Sequence, residues 1–256
     1  MKRDHDPPVE GAASFCTTHW TLILEAAQSR SQGAQSALAE LCRRYWHPLY
    51  WFIRRRGYDP EEAQDLTQGF FLHLLGHQAL SRVNPLKGKF RSFLLASLQN
   101  YLSHEIDRAY CLKRGKNVVF VPWDATSAEE RYRLEPLEGL TAETVFDARW
   151  ALTLLDAAMG RLRAEYAGQA KAATLEALQP FLDPLDALAA PSYEQTAERL
   201  GVSVSAIKAL IHRARRQYQA LLREEVARTV GDPQQVDEEI HALCEALIAS
   251  EGRLGL

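Results

Sequence analysis

Apolar residues recur at intervals of three and four along most of this chain, and that period limits its fold more than any other feature. The stripes run over Thr18 to about Ala27, Gln35 to Arg56, Pro60 to Leu75 and Lys89 to Arg108. They resume in "AETVFDARWALTLLDAAMGRLRAEYA", "KAATLEALQPFL" and the final "QVDEEIHALCEALIAS". Strand-like alternation is nearly absent, and "NVVFVPW" at 117–123 is the one β-rich run. The expected fold is all-α: two helical domains joined by a linker, the C-terminal one containing a helix-turn-helix. Residues 1–14 read as a disordered tail and 15–112 as the first domain. An acidic linker is expected at 113–145, the second domain at 146–230 and an acidic helical extension at 231–256.

Helix starts are written locally. In "DPEEAQDL" Asp59 stands as N-cap, Pro60 at the first helical position and Glu62 three residues after the cap. Ala63, Leu66, Phe70 and Leu74 then form a stripe that Phe71, Leu72 and Leu75 widen. In the helix that follows, Phe90, Phe93, Leu94, Leu98, Tyr101, Leu102 and Ile106 are placed to face a core. Residues 192–218, "SYEQTAERLGVSVSAIKALIHRARRQY", contain two helical patterns hinged at Gly201. Ser192 with Gln195 predicts a capping box, Gly201 a left-handed turn, and Ser203 the cap of a second helix. That helix has the core stripe Ile207, Ile211, Ala214, Tyr218 and Leu221. Its other face carries Ser205, Lys208, His212, Arg213, Arg215 and Arg216. Two helices joined by a short glycine turn form the unit whose second helix enters the DNA major groove. Taken alone, the segment leaves a second reading open, an amphipathic hairpin with a solvated basic face.

Charge is distributed unevenly behind a formal net of −3. Residues 82–116 hold eight basic residues against Glu105 and Asp107, a local +6, while 117–147 hold seven acids against Arg131 and Arg133, a local −5. Phosphate contacts are made patch by patch, so the basic segment matters more than the total. The four cysteines, Cys16, Cys42, Cys111 and Cys244, lie far apart with no CxxC pair, which favours reduced thiols. His73 and His77 have metal-ligand spacing, but "HLLGH" lacks the glutamate of HExxH and no third ligand is evident. No P-loop, nucleophile elbow or dinucleotide fingerprint occurs, so neither an enzyme nor a cofactor or metal is expected. No run of about 18 apolar residues occurs, so no membrane span is expected. The start has no apolar run behind its charges, so cytoplasmic residence is expected.

Three ordered motifs carry a family resemblance. "SYEQTAERLGVSVSAIKALIHRAR" resembles the C-terminal promoter-reading region of extracytoplasmic-function sigma factors, of the sigma-70 family. "EEAQDLTQGFFLHLL" is similar to that family's polymerase-binding helix, with Asp65, Leu66, Gln68 and Phe71 on its motif. "KGKFRSFLLASLQNYLSHEIDR" is similar to the segment that follows it. The resemblance covers about residues 18–112 and 146–225. Departures are Ser205-Ala206 and Ala209-Leu210 in the recognition helix, Gly69 where an acid is usual, and Phe93 for a usual Trp.

The resemblance implies a non-enzymatic factor that directs RNA polymerase core to promoters and helps to melt them. Its first domain would be region 2-like and its second region 4-like. Asp65, Gln68 and Phe71 would bind the polymerase core, at the clamp region of its β′ subunit. Ser203, Ser205, Lys208, His212, Arg213 and Arg216 would bind the minus-thirty-five element. Lys89, Arg91, Asn100, Tyr101, Arg108 and Lys113 would hold the minus-ten element. An anti-sigma factor or other regulator is a further expected partner, and the C-terminal helix is a candidate inhibitory element or simply a packed one. The rival reading is a helix-turn-helix regulator that works without polymerase.

Overall fold

The structure, a computed structural model, describes residues 32–76, 88–111, 139–182 and 191–250. The helix expected at Thr18 to Ala27 and linker residues 113–138 lie outside them. Eight α-helices are described: α1 (Gln32–Arg55), α2 (Pro60–Gly76), α3 (Phe90–Cys111), α4 (Ala142–Gly168), α5 (Ala172–Leu178), α6 (Tyr193–Leu200), α7 (Val204–Ala227) and α8 (Val236–Ala249). Short 3-10 turns occur at Gln179–Phe181 and Pro233–Gln235. Among the described residues there is no strand, only an isolated antiparallel bridge between Lys89 and Val230. No described helix is long and apolar enough to cross a membrane.

The caps form where the sequence puts them. The amide of Glu62 donates to Asp59 Oδ1 at 2.8 Å, and the Asp59 amide donates back to Glu62 Oε2 at 3.3 Å. Thr141 starts α4 by accepting from the Thr144 amide at 3.1 Å. That start falls within the segment expected to be linker.

Two apolar cores result, and α4 belongs to both. Its first half, with Val145, Phe146 and Trp150, joins a large cluster with α1, α2 and α3. Val226 at the end of α7, Val230, Val236 and Leu243 complete that cluster. Its second half, with Ala158, Leu162 and Tyr166, packs in a smaller cluster with Leu175, Leu178, Phe181, Ala197, Ile207, Ile211 and Ala214. The change of cluster thus falls inside α4, between Leu154 and Ala158. Aromatic rings fill the larger core. Trp150 stacks on Tyr45 with centroids 4.4 Å apart and also meets Phe90 and Phe146.

Two residues expected in the core are exposed. Leu72 stands roughly 200° around the helix from both Phe70 and Leu74, and is 53% exposed. On α3 the buried stripe Phe90, Leu94, Leu98 and Leu102 stops one turn short of Ile106, which is 44% exposed. Gly69 has a steric explanation. A Cβ added there would run into the Tyr101 hydroxyl, and Tyr101 lies against Phe70 at 5.8 Å between centroids.

Buried carboxylates tie the C-terminal helices to the earlier ones. Glu225, fully buried on α7, accepts from Arg161 of α4 at 3.0 Å, from Arg228 at 2.8 Å and from Arg44 of α1 at 3.3 Å. The hydrogen bonds and charges of Glu224 and Glu225 overcome the burial that pushes Arg161 down, and leave its pKa raised.

Trp150→Ala should lower unfolding free energy by about 3–5 kcal/mol, the usual cost of removing a fully buried large aromatic. Urea denaturation followed by circular dichroism measures it.

Candidate nucleic-acid interface

The helix pair α6 and α7 is built by its caps. Ser192, with extended backbone, accepts from the Gln195 amide at 3.1 Å, and Gln195 Oε1 accepts from the Ser192 amide at 3.1 Å. Gly201 closes α6 at φ 64°, the left-handed conformation that glycine adopts without a Cβ clash. Its own amide and that of Val202 reach back to the carbonyls of Glu198 and Ala197, at 3.1 and 3.0 Å. Ser203 then caps α7 by accepting from the Ala206 amide at 3.2 Å. Two serines and one glycine set the angle between the helices.

Ile207, Ile211, Ala214 and Leu221 face the smaller core, as expected. Tyr218 is half-buried, and its hydroxyl donates to the Leu155 carbonyl at 3.2 Å. Arg215, grouped with the basic outer face in the sequence, serves the fold instead. Its Nε and Nη2 donate to the Phe181 carbonyl at 3.0 and 2.9 Å, fastening α7 to the turn before α6.

The remaining outer residues form a clean surface. Ser203, Ser205, Lys208, His212, Arg213 and Arg216 are all exposed. Ser205, Lys208, His212 and Arg216 follow one another at three, four and four positions, a single stripe along the helix. Among the described residues none of Lys208, His212, Arg213 and Arg216 is paired with an acid. Ser205 shares a hydroxyl contact with Ser203 at 3.0 Å. Lys208 Nζ lies 5.4 Å from the Tyr193 ring centroid, and that ring stacks on Phe181. Tyr193 under Lys208 escaped the sequence reading; four turns of sequence separate the two, and only the helix crossing unites them. Cations free of acidic partners on an exposed helix suit a polyanion.

The α3 residues are disposed differently. Lys89, 20% exposed, donates to Glu238 at 2.9 Å and pairs with Glu239 at 3.1 Å. Arg91, 11% exposed, forks onto both oxygens of Glu239 at 2.9 and 3.2 Å and also pairs with Asp147. Burial pushes the pKa values of Lys89 and Arg91 down, but hydrogen bonds and charges from these carboxylates outweigh it and leave both raised. Asn100 is exposed, about 16 Å further along the helix from Lys89. Tyr101 is half-buried against α2, between Phe70 and His73. The side chain of Arg108 and the whole of Lys113 lie outside the described residues.

Of the three candidate polymerase-binding residues only Asp65 is exposed. Gln68 is buried, and Phe71 stacks on Trp46 at 6.3 Å inside the larger core. The exposed apolar residue nearby is Leu72, which the sequence assigned to the core.

Residues 191–217 match the family model of sigma-70, region 4. The matched segment begins one residue before the Ser192 cap and ends one residue after Arg216, so it takes in α6, the first fourteen residues of α7 and the basic stripe. The matched segment is the helix-turn-helix of this structure, and it is similar to region 4 of sigma-70. No curated protein and no solved structure matches the chain.

Gly201→Ala should destabilise the helix pair by about 1–2 kcal/mol, the cost of a left-handed residue with a Cβ. Thermal unfolding of the variant against the wild type checks it.

Proposed function

We propose that this chain is a sigma factor of the extracytoplasmic-function type. It would bring RNA polymerase core to specific promoters and help to open them. The observation that carries the reading is the coincidence at 191–217. The segment that matches sigma-70, region 4 is also where the structure exposes a stripe of cations without acidic partners. Helix α7 enters the major groove at the minus-thirty-five element. Ser205 and Lys208, near its start, face base edges, and Arg213 and Arg216 take phosphates. The Lys89 and Arg91 end of α3, with Asn100, meets the minus-ten element as its strands part. Captured single strands need cationic backbone contacts and polar groups for unstacked bases.

No covalent step belongs to the chain. Its contribution is differential binding: opened promoter DNA is held more tightly than the duplex, while the polymerase supplies the chemistry. Asp65, exposed on α2 two turns before Leu72, offers a carboxylate to a partner beyond the first turn of that helix. We place it, with the β′ clamp region, at the polymerase contact. The burial of Gln68 and Phe71 gives the polymerase-independent regulator its footing, because it leaves this contact with one motif side chain at the surface.

Run-off transcription on genomic fragments, with purified core polymerase and with or without this chain, tests the reading. Discrete transcripts that require the chain are expected. Asp65→Ala should abolish retention of core polymerase in a pull-down while leaving binding to isolated promoter duplex unchanged; undiminished retention returns the chain to the regulator reading. Arg213→Ala and Arg216→Ala should each weaken promoter binding and lower the slope of log affinity against log salt by about one. Titrations at several salt concentrations measure that slope.

A further inference from the structure

Helix α8 has no part in the promoter reading, yet its carboxylates hold the cations that reading needs. Glu239 is fully buried and neutralises both Arg91 and Lys89; Glu238 adds a second contact to Lys89. An Asp237–Arg223 pair joins the first turn of α8 to α7, with one leg at 3.1 Å. The backbone is stitched as well. The Phe90 amide donates to the Thr229 carbonyl at 2.8 Å, and Lys89 bridges Val230. The start of α3 is therefore held at the end of the helix that reads DNA.

That connection sets a maximum reach. From Val204 to Ala227 the helix spans about 35 Å at 1.5 Å per residue. The three residues on to Val230 add no more than about 11 Å, and the bridge to Lys89 about 5 Å. The start of α7 and Lys89 thus lie within about 50 Å of each other, and Asn100, about 16 Å further along α3, extends the reach to no more than about 67 Å. Elements centred 25 base pairs apart are separated by about 85 Å of duplex at 3.4 Å per pair. The described arrangement cannot grip both.

We propose that α8 is an autoinhibitory strap: Glu238 and Glu239 occupy the cations that minus-ten DNA would take, and hold the chain in an arrangement too short to bridge both promoter elements. This inference rests on the sigma-factor reading above. Opening must also draw the first half of α4 away from α1, so the apolar core shares in the restraint. The carboxylates add the part that is specific to DNA-binding cations. Releasing them acts twice in one direction. It raises the population of the extended form, and it frees two positive charges for phosphate. An apparent affinity limited by a small open fraction rises as the reciprocal of that fraction.

The test compares run-off transcription by full-length wild type, Glu238→Gln/Glu239→Gln and Asp237→Asn/Glu238→Gln at limiting amounts of the chain. In the last variant both altered side chains are well exposed, at 76% and 72%, so its folding does not depend on them. The first variant is expected to reach half-maximal transcription at roughly tenfold lower concentration, and the second to gain in the same direction by a smaller factor. A transcribing wild type with no gain in Asp237→Asn/Glu238→Gln overturns the strap and leaves the sigma-factor reading standing. Silence from the wild type and both variants overturns both readings.

Discussion

A single unbroken helix belongs to two hydrophobic cores, and most of the architecture follows from that constraint. α4 spans Ala142–Gly168, about 40 Å at helical rise. Its first half is sealed among the rings of Tyr45, Phe90 and Phe146, and its second half supports the helix pair through Ala158 and Leu162. An interior helix has no soft dihedral in its middle, so the orientation of the recognition helix is passed directly to the aromatic core. α7 makes the same passage beside it, beginning in the smaller cluster at Ile207 and ending in the larger one at Val226. Two helices that each cross the same divide resist bending and twisting better than either alone.

Buried charge gives this assembly its register. Apolar surface tolerates sliding, because one aromatic contact resembles the next, whereas a buried carboxylate must find its cations or lose several kcal/mol of solvation. Glu225 is met by cations from α1, α4 and the end of α7, and Glu239 by cations at the start of α3. Replacing one member with an apolar residue would leave the others desolvated and unpaired. Such pairs add little net stability when formed but penalise any other alignment heavily.

What the sequence made legible was local. Ser192 bonds with Gln195, Gly201 with Glu198 and Ser203 with Ala206, each across three residues, so these hydrogen bonds follow from spacing alone, and the helix pair forms as written. Helix bounds followed from periodicity to within a few residues for the same reason. The smaller core was legible too, since its stripe on α7 repeats at four and three. Long-range pairing was not. Nothing near Lys89 or Arg91 announces Glu238 and Glu239, which lie nearly 150 residues away. A basic cluster reads as a nucleic-acid patch until an acidic partner from elsewhere in the chain is placed on it. Arg215 failed differently, for it sits among true surface cations and is set apart only by a carbonyl of the turn before α6. Leu72 and Ile106 show the limit of counting apolar residues, because a stripe says which side of a helix can be buried but not how far its neighbours extend.

The contrast between the two basic surfaces follows from their place in the chain. On α7 the cations lie on the side away from both cores, where no other described element brings an acid, so Lys208, His212, Arg213 and Arg216 stay available. On α3 the cations lie at the helix start, where the α7–α8 connection crosses and the Lys89–Val230 bridge forms. A helix start repels cations through its dipole, so Lys89 and Arg91 there gain more from neighbouring carboxylates than the same residues would at mid-helix. α8 meets that need with three acids in its own first turn, Asp237, Glu238 and Glu239, the end of a helix where negative charge is favoured. Two helix N-termini, one short of negative charge and one carrying an excess, therefore stabilise each other across the fold. Because that pairing satisfies both, the positive charge at the start of α3 is already met within the chain.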